Sequence, residues 1–434
     1  MNLNHKTLTE NMPGPDTIQR FELPNHITLL TMTNSNTPSI YMVGILETAS
    51  KYDPSDKLGL ADFTASMLSR GTKNRDFHQI HDLLESTGAS LSFSASTQNT
   101  WFSGRSLSED LPLLLEIATD CLTQPSFPQE YIERMRAQIL TSLAIRDQDT
   151  GEMASMRFDQ ILFPDHPYGQ PTDGYPKTIK TITREDLLNF HSSFFYPAGM
   201  ILVVVGDIQP SKILELVRNT LGSWVNPTKA ELPSLPIIKP VYNLAQEHVE
   251  IPEKSQTDIL MGCLGPARVA ADYLPIHLGN DILGQFGMMG RIGESVRIQA
   301  GLAYYAASSV NSWKDAGVWE FSAGVNPSNT EKTIDLIRKE IDKYLQKPVE
   351  PNELADSKSH LTGRLVLSME SNAGLANAIM SMEHFQSGLD YFQRYPSLIN
   401  AITAEDILSA SRKYLNSDHL AIVSAGTSPR AQPK

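Results

Sequence analysis

The chain reads as an α+β protein of two tandem homologous domains, each a mainly antiparallel sheet with helices packed on one face. Three observations lead there: an internal repeat, a proline-rich break between the copies, and strand and helix patterns that alternate in α+β order. The repeat pairs Ile182–Asp207, "ITREDLLNFHSSFFYPAGMILVVVGD", with Ile402–Thr427, "ITAEDILSASRKYLNSDHLAIVSAGT", 220 residues further on and without a gap. Thr183/Thr403, Glu185/Glu405, Asp186/Asp406, Leu188/Leu408, Val203/Val423 and Gly206/Gly426 are identical. Each copy predicts a Thr-capped helix, then a buried strand ending in glycine.

The break is "VNPTKAELPSLPIIKPVYN", Val225 to Asn243, whose four prolines favour an extended, semi-rigid linker. The expected organisation is a loosely ordered arm at 1–14, a first domain at 15–224, a linker at 225–242, a second domain at 243–426 and a tail at 427–434. Within the first domain "HITLLTM" and "SIYMVGILETA" predict strands. Gly59–Arg70 and Phe77–Thr87 predict helices. "ASLSFSAST" and "TWFSGRSL" alternate with the period of a hairpin, and amphipathic patterns predict helices over Leu111–Leu122 and Gln129–Arg146.

Composition narrows the function. A net charge of −13 repels a phosphate backbone, so no nucleic-acid partner is expected. No apolar run reaches the ~20 residues of a membrane span, and the N-terminus lacks a signal-peptide pattern. Cys121 and Cys263 lie too far apart in sequence to suggest a disulfide framework or a thiolate metal site. The expectation is a cytoplasmic protein with no membrane partner.

"GLADFTASMLSRGT", Gly59 to Thr72, presents an apolar helical face but a chemically poor polar one of Asp62, Thr64, Ala65 and Ser66. In "FHQIHDLLE", His78, His81, Asp82 and Glu85 have helical spacing, yet no second helix offers obvious metal-binding partners. Gly284, Gly287, Gly290 and Gly293 recur at every third position, which is not a nucleotide-binding fingerprint. Met153, Met156, Met380 and Met382 read as core or interface residues.

Taken with the duplication, the linker, the turn "HPYGQPTDG" and "FFYPAGMILVVVGDI", these segments resemble the pitrilysin/insulysin family of zinc peptidases, which includes the processing peptidases. The resemblance runs over nearly the whole chain. Active members carry H-x-x-E-H on the helix that opens "GLAH", with a further ligand some seventy-five residues on. Here the first His position holds Asp62, the Glu position Ala65, the second His position Ser66, and Ser142 falls at the distant one. A single carboxylate among these residues cannot assemble a tetrahedral zinc site, and alanine cannot act as a base. No metal is expected in this chain.

"GRIGESVRIQAGLAYYAASSV", Gly290 to Val310, resembles the family's V-R-x-x-x-G-L-A-Y segment, with Arg297 and Tyr304 at the functional positions. Spacing alone equally fits a solvated or ion-paired helix arginine and a half-buried strand tyrosine. The family segment favours a pair facing one space, with Tyr305 turned to the opposite sheet face. The resemblance implies the non-zinc subunit of a heterodimeric metallopeptidase. Arg297 and Tyr304 would act in trans on a peptide or unfolded-protein substrate at the zinc site of a homologous partner. A structural or assembly subunit and a peptide-binding protein without chemistry are the alternatives.

Overall fold

The computed structural model describes residues 12–228, 230–239 and 246–428, so most of the expected arm and tail, and part of the linker, lie outside the described residues. In both repeat copies Thr183 and Thr403 cap their helices by accepting from the amides of Asp186 and Asp406 at 3.2 and 3.1 Å. Each aspartate accepts back from the threonine amide, at 2.7 and 2.8 Å. The repeat therefore extends to the hydrogen bonds that start its helix.

One sheet contains β1 (Ile18–Glu22), β2 (Thr28–Thr33), β3 (Ser39–Leu46), β4 (Ser90–Ala95), β5 (Thr100–Leu107) and β6 (Ile201–Gly206). Its order is β1-β2-β6-β3-β5-β4. Only β2 and β6 run parallel; the other neighbours are antiparallel. The second sheet contains β7 (Gln246–Glu250), β8 (Thr257–Gly265), β9 (Ala303–Ser312), β10 (Gly317–Val325) and β11 (Ala421–Gly426), ordered β7-β11-β8-β10-β9. This is the first order without its outer strand, and the parallel pair, β7 with β11, recurs at the same place.

Burial follows composition. Along β5, Phe102, Gly104 and Ser106 are buried, while Trp101, Ser103, Arg105 and Leu107 face the more open side. That is the two-residue period of a strand with one solvated face. "ILVVVG" of β6 is buried at all but its first residue, and "AIVSAG" of β11 throughout. Strands with no polar alternation need cover on both faces.

The cover comes from distant sequence. The chain forms two compact units, one of Met1–Leu143, Pro171–Ser234 and Val366–Arg394, the other of Ala144–Gln170, Leu235–Leu365 and Tyr395–Lys434. These differ from the contiguous boundaries expected from sequence because each half contributes a helix to the other unit. Asn372–His384 packs on β3 and β6, and Thr150–Leu162 packs on β8 and β11. In the second unit Ala154, Phe158 and Leu162 form a core with Leu260, Val318, Ala421, Val423 and Ala425.

Phe158→Ala empties a fully buried site and is expected to cost about 3–5 kcal/mol. Hydrogen exchange should then accelerate in β8 and β11 while β3 and β6 keep their protection. Equal loss in both sheets would contradict the exchanged-helix arrangement.

Candidate functional site

The motif helix occupies Leu60–Met67 and tightens into a single 3-10 turn at Leu68–Arg70, so it is shorter than the Gly59–Arg70 helix expected. Leu60, Phe63, Met67 and Leu68 are buried. Its first turn is held by Asp53, whose carboxylate oxygens accept from the amides of Gly59 and Ala61, each at 2.9 Å. Behind it Gly174 adopts φ 69°, and a Cβ there would lie 2.1 Å from the Leu58 oxygen, so glycine is required for this close approach. Thr178 Oγ1 donates to the same oxygen at 2.7 Å.

On this scaffold Asp62 and Ser66 are half-buried, Ala65 is buried and Ser142 is exposed on the Gln129–Arg146 helix. One carboxylate, two hydroxyls and a methyl do not fit a zinc site, whose ligands are imidazole, thiolate and carboxylate. Among the described residues no group of three or more His, Cys, Asp or Glu is placed to hold a metal ion. His81 instead lies against Phe77 with ring centroids 4.2 Å apart and planes tilted by 48°, and Phe77 in turn meets Tyr131 at 4.8 Å.

Burial pushes the Asp62 carboxyl up to about 6, helped by the negative charge of Asp173 and opposed by a hydrogen bond from the Ala95 amide. Burial likewise pushes Asp53 up to about 8, although backbone amides pull it down.

The second unit gathers what the first lacks. Glu294–Gln299 forms a turn of π-helix rather than the α-helical turn expected, with Val296 fully buried beneath it. A π-turn adds a residue to the helical circuit and re-aims the side chains that follow. Gly301 (φ 63°) ends it, and the Leu302 amide donates back to the Val296 oxygen at 3.1 Å. Strand β9 then starts at Ala303. The first unit uses the same join, where Gly88 (φ 64°) leads from the Phe77–Ser86 helix into β4.

This join brings Arg297 and Tyr304 into one depression of about 590 Å³, lined also by Ile298, Gly301, Leu302, Ala303, Asn326 and Asn329. Tyr304 is 66% exposed. Among the described residues neither the Arg297 guanidinium nor the Tyr304 hydroxyl has a hydrogen-bond partner. Tyr305 turns to the other face and donates to Asp258 at 2.7 Å, a packing role.

Asn326 and Asn329 were missed in the sequence. Asn326, which lines the depression, accepts at Oδ1 from the Ser328 amide at 3.0 Å and hydroxyl at 2.7 Å. The "VNPSN" turn at the end of a strand was the available signal. The glycine series forms no regular helix: Gly287, Met288, Met289 and Gly290 leave helical geometry, and Met288 is 55% exposed. Arg291 fixes the end of this segment by a paired bond to Glu353 at 2.8 and 2.6 Å.

The duplicated α+β fold thus carries a motif helix in one unit and an unpartnered Arg/Tyr pair in the other. Family models for "Insulinase (Peptidase family M16)" and "Peptidase M16 inactive domain" match residues 30–174 and 181–361. The chain belongs to this peptidase family, the pitrilysin/insulysin group. It is 24% identical to an uncharacterized zinc protease of Streptomyces coelicolor, covering 94% of this chain and 90% of that one. It is also 24% identical to the mitochondrial-processing peptidase subunit beta of Saccharomyces cerevisiae, over 97% and 93% of the two chains. The crystal structure of a peptidase M16 inactive domain from Pseudomonas fluorescens superposes with a TM-score of 0.89 at 26% identity, covering 96% of this chain and 99% of that one. Among the described residues no helix is long and apolar enough to cross a membrane.

The Asp62 environment has a measurable consequence. A carboxyl whose folded pKa is raised stabilises the fold below its unfolded pKa, and that contribution is lost as pH rises through the folded value. For Asp62 the loss falls between about pH 4 and pH 6. Asp62→Asn should therefore exceed the wild type in stability by roughly 2 kcal/mol at pH 7.5 and match it near pH 4, read from urea midpoints. Equal midpoints at pH 7.5 would refute the assignment.

Proposed function

We propose that this chain is the non-zinc subunit of a two-chain zinc metallopeptidase. The broader statement, a non-catalytic peptidase-like subunit, rests on the family match. The finer one is carried by a single observation: Arg297 and Tyr304, both without intramolecular partners among the described residues, line one depression that no carboxylate lines.

An unpaired guanidinium grips a peptide carbonyl or carboxylate through parallel N–H bonds. An unpaired phenol donates to an oxygen that gains charge during acyl transfer, where such a donor is worth most. The amides of Asn326 and Asn329 add donors for a peptide main chain, while Ile298 and Leu302 offer apolar contact to its side chains. Such a site holds and polarises a substrate but contains no base and no nucleophile. A homologous partner with an intact H-x-x-E-H helix completes it, and the naming of one relative as a subunit of a processing peptidase agrees with such a pairing. Extended, unfolded peptides are the substrates that a main-chain-reading site accepts.

The purified chain should bind no stoichiometric zinc by elemental analysis and should cleave no peptide alone, with proteolysis appearing when the partner is added. Chelator-resistant activity of the isolated chain would exclude the proposal. In the reconstituted pair, Arg297→Ala or Tyr304→Phe should lower kcat by about 10²–10³-fold without altering co-elution on size exclusion. Full turnover by both variants would exclude the in-trans role of the pair.

A further inference from the structure

The two sheets can be compared row by row, because their strands follow the same order. In the second unit one cross-strand row reads Ala425, Asp258, Gly324, Tyr305 through β11, β8, β10 and β9. The matching row in the first unit reads Val205, Tyr41, Arg105, Ser90 through β6, β3, β5 and β4. Val205 and Ala425 are themselves 220 residues apart, the spacing of the sequence repeat.

In the second unit this row is closed. The Tyr305 ring lies over Gly324, so near that a Cβ on the glycine would sit 2.5 Å from Tyr305 Cε1. Its hydroxyl donates to Asp258 at 2.7 Å, and Gln256 donates to the same carboxylate at 2.9 Å. Thr150, the first residue of the exchanged helix, donates to it as well. Every polar group there is satisfied from within the unit.

In the first unit each of these parts is replaced. The covering tyrosine has become Ser90, the glycine Arg105 and the carboxylate Tyr41. Beside Tyr41 and Arg105 lies a cavity of about 690 Å³, lined also by Asn36, Leu107 and Glu370 among others. This is within the roughly 300–1,000 Å³ of small-molecule sites. Among the described residues the Arg105 guanidinium, the Tyr41 hydroxyl and the Glu370 carboxylate have no hydrogen-bond or ion-pair partner. Leu107 beside them is 45% exposed.

We propose that this cavity is a binding site for a short peptide, held through a carboxylate on Arg105. The guanidinium presents the planar fork that matches a carboxylate with paired bonds. Tyr41 adds a donor for the same group, Leu107 an apolar wall, and Glu370 an acceptor for the peptide's N–H groups. A simple anion would gain nothing from Glu370, whereas a peptide carries both charge-accepting and hydrogen-donating groups. The site is separate from the Arg297 depression, requires no zinc-bearing partner, and stands whether or not the preceding reading does.

The test uses the isolated full chain in calorimetric titrations with trialanine, trialanine amide and N-acetyl-Ala-Asp-Ala amide. Trialanine should bind, and either amidation or Arg105→Ala should weaken it at least about tenfold. Arg105→Lys, which keeps the charge without the fork, should recover part of that loss. Binding of the aspartyl amide that Arg105→Ala abolishes would place an acidic side chain rather than the terminal carboxylate on Arg105, still in support. Arg105 is exposed, so an unchanged melting midpoint will verify that the variants fold. Undiminished binding by Arg105→Ala, or failure of all the probes to saturate the wild type, overturns the proposal.

Discussion

The architecture depends on one constraint: the central strands of both sheets are apolar on both faces. "ILVVVG" and "AIVSAG" leave no solvated side, so a sheet with helices on a single face would expose a row of valine, isoleucine and alanine side chains to water. At roughly 25 cal/mol per Å² of apolar surface that exposure is costly enough to demand a second layer. The chain meets the demand by sending the Thr150–Leu162 helix to the second sheet and the Asn372–His384 helix to the first. Neither unit can complete its core until a segment from the other half of the sequence has arrived.

Much of this was legible in the sequence, but not the exchange. The repeat, the strand segments of the first copy and the capped helices follow from local patterns that survive in a single sequence. The continuous apolar runs predicted buried strands, but not which elements cover them. Nothing in "TGEMASMRFDQIL" or "NAGLANAIMSMEH" says which sheet the helix covers, because an apolar stripe specifies that it is buried and not against what. The site shows the same division. Arg297 and Tyr304 were found through a family segment, since spacing alone leaves them indistinguishable from surface and strand residues. Asn326 and Asn329 join them from a turn more than twenty residues away, and such a convergence exists only once the β9–β10 ladder is formed. The π-turn that aims Arg297 leaves no periodic trace either.

Duplication also makes each unit a control for the other. Where the same backbone position carries different side chains, geometry cannot account for the difference and side-chain chemistry must. At the join between helix and edge strand both units use a left-handed glycine, Gly88 and Gly301, and each glycine lines a depression that also holds an arginine and a tyrosine without partners among the described residues, Arg105 and Tyr41 in the first unit and Arg297 and Tyr304 in the second. The row through β3 and β8 is where they part. There the second unit is sealed by Tyr305 and Asp258, and the first is open around Arg105. The two units have thus diverged in side-chain chemistry along this row while keeping the same ladder.

The motif helix shows why such divergence is tolerated. Its stability comes from one side, where Leu60, Phe63, Met67 and Leu68 are buried, and from its first turn, where Asp53 satisfies two amides. None of those contacts passes through the positions where a metal-binding relative carries its ligands. Exchanging ligands for Ala65 and Ser66 therefore removes chemistry without removing packing. The cost that remains is electrostatic: Asp62 keeps a half-buried carboxyl close to Asp53 and Asp173, with no cation among the causes that act on it. Burial favours the neutral form of such a group and neighbouring negative charge adds to that preference. The helix therefore keeps the shape of a metal-site scaffold, while burial and the Asp173 charge raise the Asp62 carboxyl to about 6.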